Sequence, residues 1–443
     1  MQNQGIRDAR SLGTPKLLVL GLQHMFAMFG ATVLVPALTG LSVSATLLFA
    51  GLGTLFFHFV TKGKVPAFLG SSFAYLAGYA AIAPNGEAAL LPYACVGVAA
   101  SGLLYLILAA LVRGFGANRV MRFFPPVVTG PIIICIGMTL ANSAINNCTG
   151  SWDIALVAIL TVVIFNIWGK GMLRIIPILL GVLVSYVYAA VTGRVDFSGV
   201  ASAAWIGLPV KMENTVFSLI GNCDANLLVT AIIAIMPIAF ATMIEHIGDI
   251  CAISSTVGAN FIADPGLHRT LQGDGLATSI ASLFGAPANT TYGENTGVLA
   301  LTRVYDPLVI RLAAVYAIIA SFCPKFAALV SAMPTGTIGG VSLILYGMIS
   351  AIGVRNLVEN RVDLAKSRNV IVVSLIISLA LGITFSTAGA ITFHVGEFTL
   401  NFSGLAVAAI VGIVVNAILP GKDYNFQNDY EYGKTTEDHG QML

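Results

Sequence analysis

The amino-acid sequence predicts an all-α membrane protein with fourteen transmembrane spans in two inverted seven-span repeats, and three observations lead there. Of its 443 residues, 57% are hydrophobic and only 9% charged. Soluble chains carry roughly 25% charge, so the bilayer is the solvent here. Apolar runs near the roughly 20 residues that cross a bilayer recur along the whole chain, separated by short polar breaks. The basic residues fall almost entirely on alternate breaks, as the positive-inside rule requires of membrane helices.

In order, the apolar runs lie at 17–39, 44–61, 66–83, 89–112, 120–141, 154–169 and 175–193, forming a first repeat over 17–193. After a weakly apolar extracytoplasmic connection, 194–226, a second repeat over 227–420 holds runs at 227–251, 270–284, 288–302, 309–332, 337–354, 369–390 and 402–420. With the N-terminus in the cytoplasm, only Arg194, Lys211 and Lys325 of the 22 lysines and arginines face outward. One missed span would misplace every later basic loop, so both termini are expected in the cytoplasm and the chain in the inner membrane. The N-terminal segment 1–16 carries Arg7, Asp8, Arg10 and Lys16 rather than the apolar core of a cleaved signal peptide. The cytoplasmic tail 421–443, with Tyr424, Asp429, Tyr430, Glu431 and Asp438, reads as solvated and disordered. An odd number of spans per half turns the second half upside down relative to the first, the plan of many secondary transporters. A short echo agrees: residues 125–130 (PPVVTG) and 334–339 (PTGTIG) each open the fifth span of their half.

The third span of each half is broken. Residues 66–75 (PAFLGSSFAY) and 286–295 (APANTTYGEN) place proline, glycine, serine and asparagine where a helix should begin, so a short extended segment is expected in spans 3 and 10. Irregular backbone at bilayer depth survives only when buried in protein or lining a cavity. Two such segments at matching positions of inverted halves point to a mid-membrane site, where half-helix N–H groups face a shared ligand.

Of the 20 aspartates and glutamates, Glu245, Asp249 and Glu294 read as lying well inside apolar runs. An ionisable group at that depth costs at least about 2.5–3.5 kcal/mol and marks a functional site by default. Glu245 and Asp249, four residues apart, share one helix face, with His246 about 100° away. Asp249 is either a partner on the Glu245 face or a polar contact near the end of its span, and His246 reads as a buried hydrogen-bonding residue. Gln23 and His24 form a polar pair in the first span, and His24 either orients a glutamate or simply packs. The six cysteines lie scattered without metal or CxxC spacing, and a net charge of +2 gives no nucleic-acid signal. No cofactor or metal is implied.

Residues 23–32 (QHMFAMFGAT), 70–74 (GSSFA), 245–248 (EHIG), 264–269 (DPGLHR), 289–297 (NTTYGENTG) and 294–303 (ENTGVLALTR) resemble the signatures of the nucleobase/ascorbate transporter (nucleobase:cation symporter) family, and most closely its bacterial uracil-carrying branch. The resemblance runs over essentially the whole chain. It implies a core domain of spans 1–4 and 8–11, a gate domain of spans 5–7 and 12–14, a homodimer formed through the gate, and import of a nucleobase with a proton. It further implies that Glu245 accepts from the base N–H groups, that the backbone N–H of Phe73, Gly293 and Glu294 meets its carbonyl oxygens, and that Tyr292 and Tyr346 contact or flank the ring. Glu294, Glu245, Asp249 and His24 are then the candidates for proton coupling. A flat, neutral base edged by donors and acceptors suits a carboxylate opposite half-helix N–H groups with aromatic walls. Asp249 stands where the uracil branch usually has a histidine and resembles the purine-carrying branch, whereas Glu294 before Asn295 matches the uracil branch. The implied function is proton-coupled uracil uptake, with purine or xanthine transport, or a channel, as alternatives. No HExxH, GxSxG or Walker pattern stands in the context an enzyme would need.

Overall fold

The computed structural model describes residues 5–395 and 398–422; most of the polar tail expected over 421–443 lies outside the described residues. Helices α1 (Thr14–Thr39), α2 (Val43–Val60), α3 (Phe73–Ile82), α4 (Leu91–Phe115), α5 (Pro126–Cys148), α6 (Trp152–Trp168) and α7 (Pro177–Val191) make up the first half. The second half holds α8 (Ala225–Val257), α9 (Leu267–Leu283), α10 (Gly293–Thr302), α11 (Pro307–Ser321), α12 (Thr335–Glu359), α13 (Ser367–Thr384) and α14 (Gly404–Ile418). Among the described residues, seven of these are long and apolar enough to cross a membrane. Their ends follow local chemistry. Ser42 caps α2, Asp224 caps α8, Asp306 caps α11 and Ser403 caps α14, each through a side-chain oxygen that accepts a first-turn N–H. Gly40, at φ 79°, takes the left-handed conformation that stops α1.

Packing sorts the helices into two groups. α1 lies on α11, α2 on α11 and α9, and α4 on α9 and α8; separately, α5 lies on α12 and α13, and α6 on α7 and α12. Exchanging each helix for the one seven places on turns the α4–α9 contact into α11–α2, and the α1–α11 contact into α8–α4.

The structure corrects the sequence expectation in three places. The all-α description misses a β-hairpin: α13 ends at Thr384, and β3 (Ala390–Val395) pairs antiparallel with β4 (Phe398–Ser403), where spans had been drawn to 390 and from 402. The eleventh run, 309–332, is not one helix, because Cys323-Pro324 breaks it and the short helix Pro324–Ser331 leaves at 88°. Asp274, read as lying outside the deep apolar runs, is fully buried in α9.

Candidate functional site

Where the two broken spans meet, strand β1 (Leu69–Ser71) pairs antiparallel with β2 (Asn289–Thr291), Gly70 opposite Thr290. Tyr292 N donates to Phe68 O at 3.0 Å and Ser72 N to Ala288 O at 2.8 Å, extending the ladder by one pair at each end. A Cβ on Gly70 would lie 2.4 Å from the Tyr292 ring, so only glycine lets that ring cover the strand. The Tyr292 hydroxyl donates to Ser71 O at 2.9 Å and accepts from Thr32 Oγ1 of α1 at 3.3 Å.

Each strand runs directly into a half-helix, α3 or α10. The first turn of such a helix leaves N–H groups without intrahelical acceptors. Like α1, α4–α7, α9, α12 and α13, neither half-helix has a side-chain cap: Ser72 and Tyr292 occupy the cap positions in extended conformation and accept no first-turn N–H through their side chains. In front of α10 there is room, since a Cβ built on Gly293 meets nothing nearer than Asp249 Oδ1 and Ile352 Cδ1 at 3.9 Å. Each half-helix N-terminus therefore offers donors and a positive dipole end, α3 leaving one end of the paired ribbon and α10 the other.

α8 supplies the acceptors. Glu245 and Asp249 are half-buried on adjacent turns of one face, and Asp249 Oδ2 accepts from Thr291 Oγ1 of β2 at 2.8 Å. Of Glu294 the backbone is placed, at the second position of α10, while its side chain lies outside the described residues. Its neighbour Asn295 is buried and donates through Nδ2 to His24 Nδ1 and His24 O, both at 3.2 Å. His24 thus ties α1 to the start of α10. Phe73 opens α3 and meets Tyr346 of α12 edge-on, with ring centroids 5.7 Å apart at 75°. That contact joins the two helix groups beside the half-helix N-termini. The structure accordingly gathers Asp249 with Thr291 and Gly293, His24 with Asn295, and Phe73 with Tyr346, while Tyr292 lies behind the strands with its hydroxyl occupied.

One buried pair escaped the sequence reading. His246 Nδ1 lies 2.9 Å from Asp274 Oδ2, both side chains fully buried, at angles outside those of a regular hydrogen bond. Phe57 and Tyr105 meet the imidazole edge-on at 6.3 and 6.4 Å. Asp274 belongs to a polar stripe along α9, Thr270, Asp274, Thr278 and Ser282, each four residues from the last and all buried. That spacing was visible in the sequence and is the signal that would have found it.

A model of the permease family matches residues 15–389. The uracil permease of Bacillus caldolyticus is 42% identical to this chain, with 96% of each covered. That of Bacillus subtilis (strain 168) is 40% identical, over 99% of this chain and 98% of its own. Among solved structures, the transmembrane domain of a cyanobacterium bicarbonate transporter, BicA, aligns with a TM-score of 0.62 over 94% of this chain and 100% of that one at 13% identity. At that identity the likeness concerns the fold alone.

Proposed function

Because this chain belongs to the nucleobase/ascorbate transporter family of permeases, we propose that it imports uracil by proton symport across the inner membrane. It is a multi-pass membrane transporter rather than an enzyme. The observation that carries the substrate reading is the open start of α10, where a Cβ on Gly293 would lie 3.9 Å from Asp249 Oδ1 on the α8 face that also carries Glu245, with α3 leaving the same paired ribbon. Uracil alternates carbonyl acceptors and N–H donors around one flat ring. In this reading the backbone N–H groups of Phe73, Gly293 and Glu294 donate to its carbonyl oxygens and Glu245 accepts from its N–H groups. Phe73 and Tyr346 close on the ring, and Tyr292 braces the strand beneath it.

The transport reading divides the fourteen spans into a core domain, α1–α4 with α8–α11, and a gate domain, α5–α7 with α12–α14, related within the chain as inverted repeats. The exchange symmetry of the helix contacts supports it. The substrate lies between the domains, so rocking one against the other exposes it to either side in turn, with two chains associating through their gates and both termini in the cytoplasm. Glu294 carries the coupled proton, Glu245 responds to it through the shared substrate, and Asp249 and His24 hold the strands and half-helix that surround them. Uptake of radiolabelled uracil into proteoliposomes tests the proposal. Uptake should follow an imposed inward pH gradient and not a sodium gradient; accumulation driven by sodium alone, or no accumulation under both gradients, would overturn it. Asp249, in the position that resembles purine carriers, favours a second reading, and competition by excess xanthine as strong as by excess uracil would select it.

A further inference from the structure

In a two-stranded antiparallel ribbon, alternate residues turn their N–H and C=O to the partner and the rest turn them outward. Phe68, Gly70 and Ser72 face β2, so the peptide groups of Ala67, Leu69 and Ser71 point away from it. At bilayer depth such an edge must be satisfied by protein. On β1 this falls to one face of α2. Thr54 Oγ1 accepts from Leu69 N at 2.9 Å and donates to Leu69 O at 3.3 Å. One turn on, His58 Nε2 lies 2.9 Å from Ala67 O. Arg311 of α11 sets the tautomer: its guanidinium only donates, its Nε lies 3.4 Å from His58 Nδ1, and His58 therefore carries its proton on Nε2, toward Ala67. Thr54 and His58 are both buried, and among the described residues their side-chain hydrogen bonds go to β1, its lead-in and Arg311, none to a half-helix. The same helix also holds β2, because Asn289 Nδ2 reaches Phe49 O at 2.9 Å over Gly53, where a Cβ would lie 2.3 Å from that nitrogen.

We propose that Thr54 and His58 are positioning residues of the transport site, replacing a third strand and so fixing the depth at which β1 delivers the Phe73 N–H to the ligand. This rests on the uracil reading above. The test is the equilibrium affinity of the purified full-length chain for uracil, measured with its melting temperature. Thr54→Val keeps the shape of the side chain and loses both hydrogen bonds; it should weaken uracil binding about tenfold. Thr54→Ser, which keeps the hydroxyl, should bind within about twofold of the parent. His58→Leu should weaken binding comparably, and His58→Gln, whose amide N–H can reach Ala67 O, should recover most of it. Thr46→Val is the control, since the Thr46 hydroxyl bonds only Ser42 O of its own helix in the described structure, and it should leave affinity unchanged. If Thr54→Val does not accumulate, the His58 pair decides the matter alone. Unchanged affinity in Thr54→Val and His58→Leu, with or without a lower melting temperature, overturns the proposal. Failure of the parent itself to bind uracil overturns the substrate reading instead.

Discussion

The buried pair His246–Asp274 lends itself to a quantitative test. Both side chains are fully buried and face each other at 2.9 Å, with aromatic rings on two sides. Removing one member of such a pair costs about 3–5 kcal/mol, chiefly because the other is left buried without it, whereas replacing both by apolar side chains of similar volume is roughly neutral. Unfolding entropy near 2.1 cal/mol/K per residue, taken over 443 residues, gives roughly 0.9 kcal/mol/K. Asp274→Leu or His246→Leu alone should then lower the melting temperature in detergent by about 3–5 °C. The double variant should recover most of the loss, with a coupling energy of at least about 3 kcal/mol. Differential scanning fluorimetry of the four proteins closes the cycle. Losses that simply add in the double variant, or an Asp274→Leu protein melting with its parent, would refute the reasoning.

Glu245→Gln removes a charge-assisted acceptor and should weaken uracil binding about 10- to 150-fold, whereas Glu294→Gln should retain binding and lose uptake driven by a pH gradient; calorimetry and proteoliposome uptake on both decide, and the opposite pattern would exchange their roles. Gly70→Ala forces a methyl to within 2.4 Å of a ring anchored at its hydroxyl, so it should destabilise the protein by about 1–3 kcal/mol and abolish uptake, with normal uptake excluding the close contact. The ammonium of Lys64, just after α2, hydrogen-bonds Asp264 in the turn between α8 and α9 and holds its carboxyl below the usual carboxylate range. A carboxyl depressed in the folded state contributes stability above its unfolded value, near ~3.9, and loses it as pH falls through the folded value. Both side chains are well exposed, so the effect is small: Asp264→Asn should melt slightly below the parent at neutral pH and together with it in strong acid. A gap that persists in acid would assign the loss to something other than charge.

The interrupted spans were legible because proline and glycine, with serine in 66–75 and asparagine in 286–295, disfavour an unbroken helix there. Sequence could not reveal that the two extended stretches pair with each other, since that register depends on Gly70 admitting Tyr292 and on Asn289 passing Gly53. Glu245 stood out against an apolar background. Asp274 did not, because its neighbours Gln272, Gly273 and Gly275 make α9 the least apolar of the runs around the site and an acid there reads as near a loop. The β3–β4 hairpin alternates apolar and polar residues with the period of a strand, as in Ile391, Thr392 and Phe393. It falls mostly in the break between the runs 369–390 and 402–420, and hydrophobicity summed over a span is blind to period.

The β1–β2 ribbon joins residues about 220 positions apart. During synthesis at about 5–20 residues per second, β1 reaches the membrane roughly 10–40 seconds before its partner exists. Throughout that interval α2 can cover one flank of β1, while the flank meant for β2 faces nothing. Neither half of the chain can complete this ribbon alone, so a nascent first half carries an unpaired strand flank until the second half arrives. Two halves made as separate polypeptides would become active only by finding each other.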